Sequence, residues 1–170
     1  MPGAKFFLDS KLNYAENLLR EPNNAVAIEE FREDGFSNSL TRKELECKAL
    51  KMAGWLKSKG IKKGDRVCAY MPNCSETIIT MLATSAIGAI FSSCSSDFGI
   101  DGVIDRFEQI APKILVAANG YLYNGKIIKR SDEIKTISKR LPSLEQILVV
   151  DYISSIKGSD HFSNFNTVFQ

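Results

Sequence analysis

Between residues 41 and 150 short β-rich runs alternate with helical patterns, with a repeat of about 25 residues. That rhythm admits few architectures. Strand, helix and strand at this spacing make a βαβ unit, and such units join into a parallel sheet through right-handed crossovers. The runs Lys113 to Ala118 (KILVAA) and Ile147 to Val150 (ILVV) are continuously apolar, as in strands covered on both faces. The expected fold class is α/β, a predominantly parallel sheet with helices on both faces.

The elements can be placed along the chain. Ala25 to Glu30 and Phe36 to Leu40 read as two short strands joined through the turn signal Asp34-Gly35. Thr41-Arg42-Lys43-Glu44 is a capping box, and Leu45, Ala49, Met52 and Leu56 come after it at helical spacing as far as Gly60. Arg66 to Met71 is a strand stopped by Pro72-Asn73. Ser75 is expected to cap a largely buried helix ending before Gly88, and Ala89 to Cys94 is the next strand. Asp101 opens a helix with Val103, Phe107 and Ile110 on one face. Ser131 is expected to cap another, carrying Ile134, Ile137 and Leu141. The chain divides into three regions: a partly irregular N-terminal segment 1–24, an α/β unit 25–152, and a poorly patterned tail 153–170. In that tail Phe162, Phe165 and Phe169 suggest apolar contacts with structure lying outside the chain.

Composition narrows the function. Across 170 residues, 44% are hydrophobic and 25% charged, the balance of a globular domain with a core of its own. A net charge of +2 provides no basic field for nucleic acid. No apolar run is long enough to span a membrane, and Met1 to Leu12 lacks the apolar stretch of a secretory signal, so a cytoplasmic location is expected. Cys47, Cys68, Cys74 and Cys94 show no C-x-x-C spacing and have no neighbouring His, which points to reduced thiols and no metal site. The single His, His161, stands in the polar tail, so histidine acid–base chemistry is not expected from this chain. Gly60 to Asp65 precedes a strand, whereas a phosphate loop comes after one; it reads as a surface connection, and Lys57, Lys59, Lys62 and Lys63 as a solvated face. Trp55 reads as packing.

Ligands of open α/β sheets bind beyond the carboxyl ends of the strands. Two segments fall there. Ser92 to Gly99 offers hydroxyls and amides in front of a helix, and Gly120 to Lys126 offers a mobile cation, Lys126, suited to phosphate. If their strands are neighbours, the two lie side by side on one rim. By spacing alone they are better read as plain turns than as a ligand site, Asn124-Gly125 being a hairpin signal.

Several segments resemble the adenylate-forming acyl-CoA synthetases. These are Leu12 to Leu19 (LNYAENLL), Leu40-Thr41 with Glu44-Leu45, Gly60 to Val67 (GIKKGDRV), Met71-Pro72-Asn73, Glu76 and Gly88-Ala89. Acetate-activating members share most of them. Acetoacetate as the acid rests on Pro2 to Phe7, on Ser92 to Gly99 with Asp105-Arg106-Phe107, and on Gly120-Tyr121 with Tyr123 to Lys126. The match runs from about Pro2 to Tyr152.

The resemblance implies a two-step reaction. ATP and a carboxylate give an acyl-adenylate and pyrophosphate, and the CoA thiol then displaces AMP. The complete enzyme would use ATP, CoA, Mg²⁺ and acetoacetate. The family's phosphate loop ending in Lys, its later acidic motifs and its C-terminal Lys have no counterpart here. The expectation is therefore a piece of the large N-terminal domain, starting and stopping inside it, with no adenylation activity alone, marginal stability and an open strand edge. The resemblance places Ser95, Ser96, Asp97 and Phe98, with Tyr123 and Lys126, near the nucleotide portion of CoA. Lys126 and Tyr123 stand where acetate-activating members carry arginines, and one Lys does not grip phosphate in two places as Arg does. A non-catalytic α/β binding module and an acetate- or propionate-activating ligase are the competing readings.

Overall fold

The computed structural model describes residues 3–156 and 162–170. His161 lies outside the described residues.

Five strands form a parallel sheet in the order β4-β3-β5-β8-β9: β3 (Arg66–Tyr70), β4 (Ile90–Cys94), β5 (Ile114–Ala118), β8 (Gln146–Val150) and β9 (Ser163–Asn164). Two antiparallel hairpins stand apart from it: β1 (Val26–Phe31) with β2 (Ser37–Thr41), and β6 (Gly120–Tyr123) with β7 (Lys126–Lys129). The helices are α1 (Tyr14–Leu19), α2 (Arg42–Ser58), α3 (Ser75–Ala86), α4 (Ile100–Glu108) and α5 (Ser131–Arg140).

Strand pleating sorts the apolar residues onto two faces. Val67, Ala69, Ile114, Val116, Ala118, Leu148 and Val150 join one buried cluster with α1, α2 and α3. Cys68, Tyr70, Leu115 and Ala117 join the other, with Val103 and Phe107 of α4 and Ile134 and Ile137 of α5. The central strand β5 is buried along its whole length, as a doubly covered strand must be. The fold class read from the sequence is the observed one.

Local signals carried much of this and failed at identifiable places. The capping box of α2 is present, with the Glu44 amide donating to Thr41 Oγ1 at 3.2 Å and Glu44 Oε2 accepting from the Thr41 amide at 2.8 Å. Ser75 and Ser131 do not cap. Each is the first helical residue after an N-cap at Cys74 or Arg130, and neither N-terminus carries a side-chain cap from its N-cap residue. At α3 the duty passes to Glu30 of β1, whose Oε2 accepts from the Ser75 amide at 3.0 Å and sets a negative charge at the helix's positive end. The tail packs onto this same chain. Ser163 pairs with Leu148, Phe165 sits in the core at 2% exposure, and Phe162 packs against the opposite cluster. β4 ends the sheet on one side, with Ile90 exposed.

Chain order runs from β3 outward to β4, then back across β3 to β5 and on to β8. The connections thus change direction between β3 and β5, the kind of place where such sheets open a crevice at their carboxyl rim.

Candidate functional site

β4 ends at Cys94, and the Met71 amide of the strand alongside donates to the Cys94 carbonyl at 3.1 Å. The chain then folds through Ser95 to Gly99 before α4. The Phe98 amide closes the turn on the Ser95 carbonyl at 3.1 Å. Tyr70, fully buried on β3, donates its hydroxyl to the Phe98 carbonyl at 2.7 Å. Burial pushes the Tyr70 phenol up to about 12, so it remains a donor at neutral pH. Ser95 and Asp97 are exposed and Phe98 partly so, its ring 5.3 Å from the Arg106 guanidinium. Ser96 is buried, and its hydroxyl has no hydrogen-bond partner.

The second candidate segment is a hairpin rather than a loop. β6 comes after β5 with only Asn119 between them, and Tyr123 pairs directly with Lys126 across the tip. Both side chains are exposed. The base is pinned by close approach: a Cβ on Gly120 would stand 2.7 Å from the Ile128 carbonyl oxygen and 2.8 Å from Ile156 Cδ1. Beside it, the buried Asn119 donates to the carbonyls of Ile153 (3.0 Å) and Ile156 (3.2 Å) and accepts from the Ile153 amide (2.9 Å).

The strands feeding the two segments are not neighbours, because β3 lies between β4 and β5. What joins the segments is Arg130, a residue that no sequence motif singled out. Its side chain is 12% exposed; Nε donates to the Ser96 carbonyl at 2.9 Å, and one terminal nitrogen donates to Glu133 at 2.6 Å. The other donates to the Tyr121 hydroxyl at 3.3 Å, with the guanidinium 5.1 Å from that ring. One cation therefore fastens the Ser95–Phe98 turn to the base of the hairpin and to the start of α5. The hairpin tip is held elsewhere: Glu33, in the β1–β2 turn, accepts from the amides of Asn124 at 3.3 Å and Gly125 at 2.9 Å. So Ser95 to Phe98 form one group and Tyr123 with Lys126 another, on the two arms of a structure clasped by Arg130. The only sequence signal for Arg130 was a Glu three residues ahead on a helix. Glu33 had none.

A cavity of about 360 Å³ opens between β1 and the start of α3, lined by Ile28, Glu30, Phe31, Cys74 and Thr77 among others. Two of its polar groups are engaged internally, Glu30 on the Ser75 amide and the Thr77 hydroxyl on the Pro72 carbonyl. That argues for packing rather than ligand chemistry. Among the described residues no group of three or more His, Cys, Asp or Glu is placed to hold a metal ion, and no helix is long and apolar enough to cross a membrane.

A family profile described as AMP-binding enzyme matches residues 15–166. The chain is 47% identical over 141 residues to the acetoacetyl-coenzyme A synthetase of Rhizobium meliloti (strain 1021), covering 83% of this chain and 22% of that protein. It is 41% identical over 167 residues to the acetoacetyl-CoA synthetase of Macaca fascicularis, covering 97% of this chain and 25% of that protein. Among solved structures, acetoacetyl-CoA synthetase from Streptomyces lividans superposes with a TM-score of 0.92 at 33% identity, over 99% of this chain and 26% of that one. The chain thus spans about a quarter of the length of the relatives it matches.

Proposed function

Because the chain belongs to the AMP-binding enzymes, we propose that it is the part of an ATP-dependent acetoacetate–CoA ligase that forms one edge of the CoA site. In the reaction so assigned, an acetoacetate oxygen attacks the α-phosphorus of ATP and pyrophosphate leaves. The CoA sulfur then attacks the acyl carbon, and the bond to AMP breaks. Mg²⁺ would accompany ATP; among the described residues no group of three or more His, Cys, Asp or Glu is gathered to hold a metal ion. Acetoacetate is supported by the relatives, acetoacetyl-CoA synthetases at 41% and 47% identity.

The observation that carries the CoA assignment is the Arg130 clasp. It ties the Ser95–Phe98 turn to the base of the β6–β7 hairpin, while the ring of Phe98 and the ammonium of Lys126 remain exposed. A purine can stack on a partly exposed aromatic ring, and a phosphate is drawn to an ammonium. Exposed turn groups at Ser95 and Asp97 supply hydrogen-bonding positions beside them. A cytoplasmic location belongs to the same proposal, since free thiols at all four cysteines, three of them buried, suit a reducing compartment.

In the complete ligase carrying this segment, Lys126→Ala should raise the KM for CoA more than the KM for ATP. An unchanged KM for CoA would sink the assignment. Pyrophosphate release by the same enzyme, with acetoacetate against acetate, tests the acid.

A further inference from the structure

The tip of the β6–β7 hairpin is a tight turn in which Asn124 (φ 49°) and Gly125 (φ 70°) are both left-handed. Successive amides in such a turn converge on one point and make a small anion-binding concavity. Here that point is taken by a carboxylate of the chain itself. Glu33 Oε1 accepts from the Asn124 amide at 3.3 Å and Oε2 from the Gly125 amide at 2.9 Å, one oxygen to each donor. Glu33 lies about 90 residues earlier, on a different hairpin.

That second hairpin is itself anchored. Arg32, next to Glu33, has a side chain 10% exposed and donates to the Tyr152 carbonyl at 2.6 Å and to Asp34 at 2.8 Å. Its guanidinium lies 4.2 Å from the Tyr152 ring and 4.8 Å from the Phe36 ring. The β1–β2 turn is therefore fixed to the chain leaving β8, and Glu33 extends from a rigid base. A two-stranded hairpin holds its shape poorly alone. This one is braced at its base by Arg130 and at its tip by Glu33, and Lys126 is the residue directly after Gly125.

We infer that Glu33 is a positioning residue for CoA. By filling the amide concavity of the Asn124-Gly125 turn it fixes the tip, so that an incoming phosphate meets the Lys126 ammonium at a defined place rather than the turn amides. The inference rests on the CoA reading of Lys126. It predicts a defect in CoA binding alone, because Glu33 is an exposed turn residue whose side-chain hydrogen bonds go to the hairpin tip.

The test compares Glu33→Ala, Glu33→Gln and Lys126→Ala in the complete ligase carrying this segment, by steady-state kinetics in CoA and in ATP. Glu33→Ala removes two charge-assisted hydrogen bonds at an exposed site, and should raise the KM for CoA about three- to tenfold while kcat at saturating CoA and the KM for ATP hold within about twofold. Glu33→Gln keeps one acceptor and should fall between Glu33→Ala and the parent. A raised KM for CoA in Lys126→Ala with none in Glu33→Ala overturns this inference and leaves the CoA reading standing. No change in either variant overturns both. A lower KM for CoA in Glu33→Ala would mean that the carboxylate acts by repelling phosphate, and a parallel loss in every constant would mean that it serves the fold; each overturns the positioning role.

Discussion

Asn119 and Gly120, adjacent in sequence, meet opposite demands. Gly120 is there because nothing larger fits against the Ile128 carbonyl, whereas Asn119 is there for all its polar atoms. Its amide group satisfies an N–H and two carbonyls of the chain leaving β8, all in buried surroundings. Asn119→Ala should destabilise the chain by about 3 kcal/mol, because it strands several buried groups at once. Urea denaturation of the variant checks this, and a loss below about 1 kcal/mol would show that the segment re-pairs by itself. The sequence shows a strand ending at Asn119-Gly120; β5 does end there, at Ala118, but Gly120 opens β6. The clamp was not legible, because its partners lie 34 and 37 residues downstream and no local pattern encodes them. Arg130 and Glu33 escaped for the same reason. The candidate residues Ser95 to Phe98, Tyr123 and Lys126 were picked out by their place on the rim and by the family resemblance, while the residues that hold them are visible only by what they reach.

Elements whose signals are local emerged at nearly their full extent. α2 is encoded by the Thr41–Glu44 box and its apolar spacing, and the parallel strands by their apolar runs. Strand order did not emerge, because it depends on which side of β3 each crossover passes, and the β4 to β5 connection returns over β3. β9 was hidden by its length, two residues pairing with Leu148 and Val149. The adjoining 3-10 helix Phe165–Phe169 secures it; there Phe165 is buried and its ring lies 5.4 Å from that of Phe169, edge to face. Phe165→Ala should cost about 3–5 kcal/mol, the range for emptying a packed aromatic site. Amide exchange would then accelerate along β8, which loses its outer partner, more than along β3. Equal protection in both strands would mean that the tail only decorates the sheet.

At the scale of the whole molecule, the two-faced sheet decides how the chain responds to base. Cys68 and Cys74 lie in opposite clusters, and burial pushes each thiol from an ordinary 9.0 up to about 12. Burial also pushes the phenols of Tyr70 and Tyr152 from 10.0 to about 12. Cys47 alone is exposed, so iodoacetamide at about pH 8 should label one thiol per native chain and all four after denaturation. The sign of the linkage is set by the direction of these shifts. The folded chain binds the four protons more tightly than the unfolded chain, so their contribution is complete below pH 9.0 and is lost as pH rises toward about 12. Urea midpoints should therefore fall steadily across that interval, with little change between about pH 7 and 8.5. Cys68→Ala should be less stable than the parent at neutral pH, because it leaves a cavity in the cluster that β3 shares with α4 and α5, yet lose less of its midpoint on the way to alkaline pH. A parent midpoint that stays level to about pH 11, or a Cys68→Ala curve parallel to the parent's, would show that the protonated interior contributes nothing to the alkaline response.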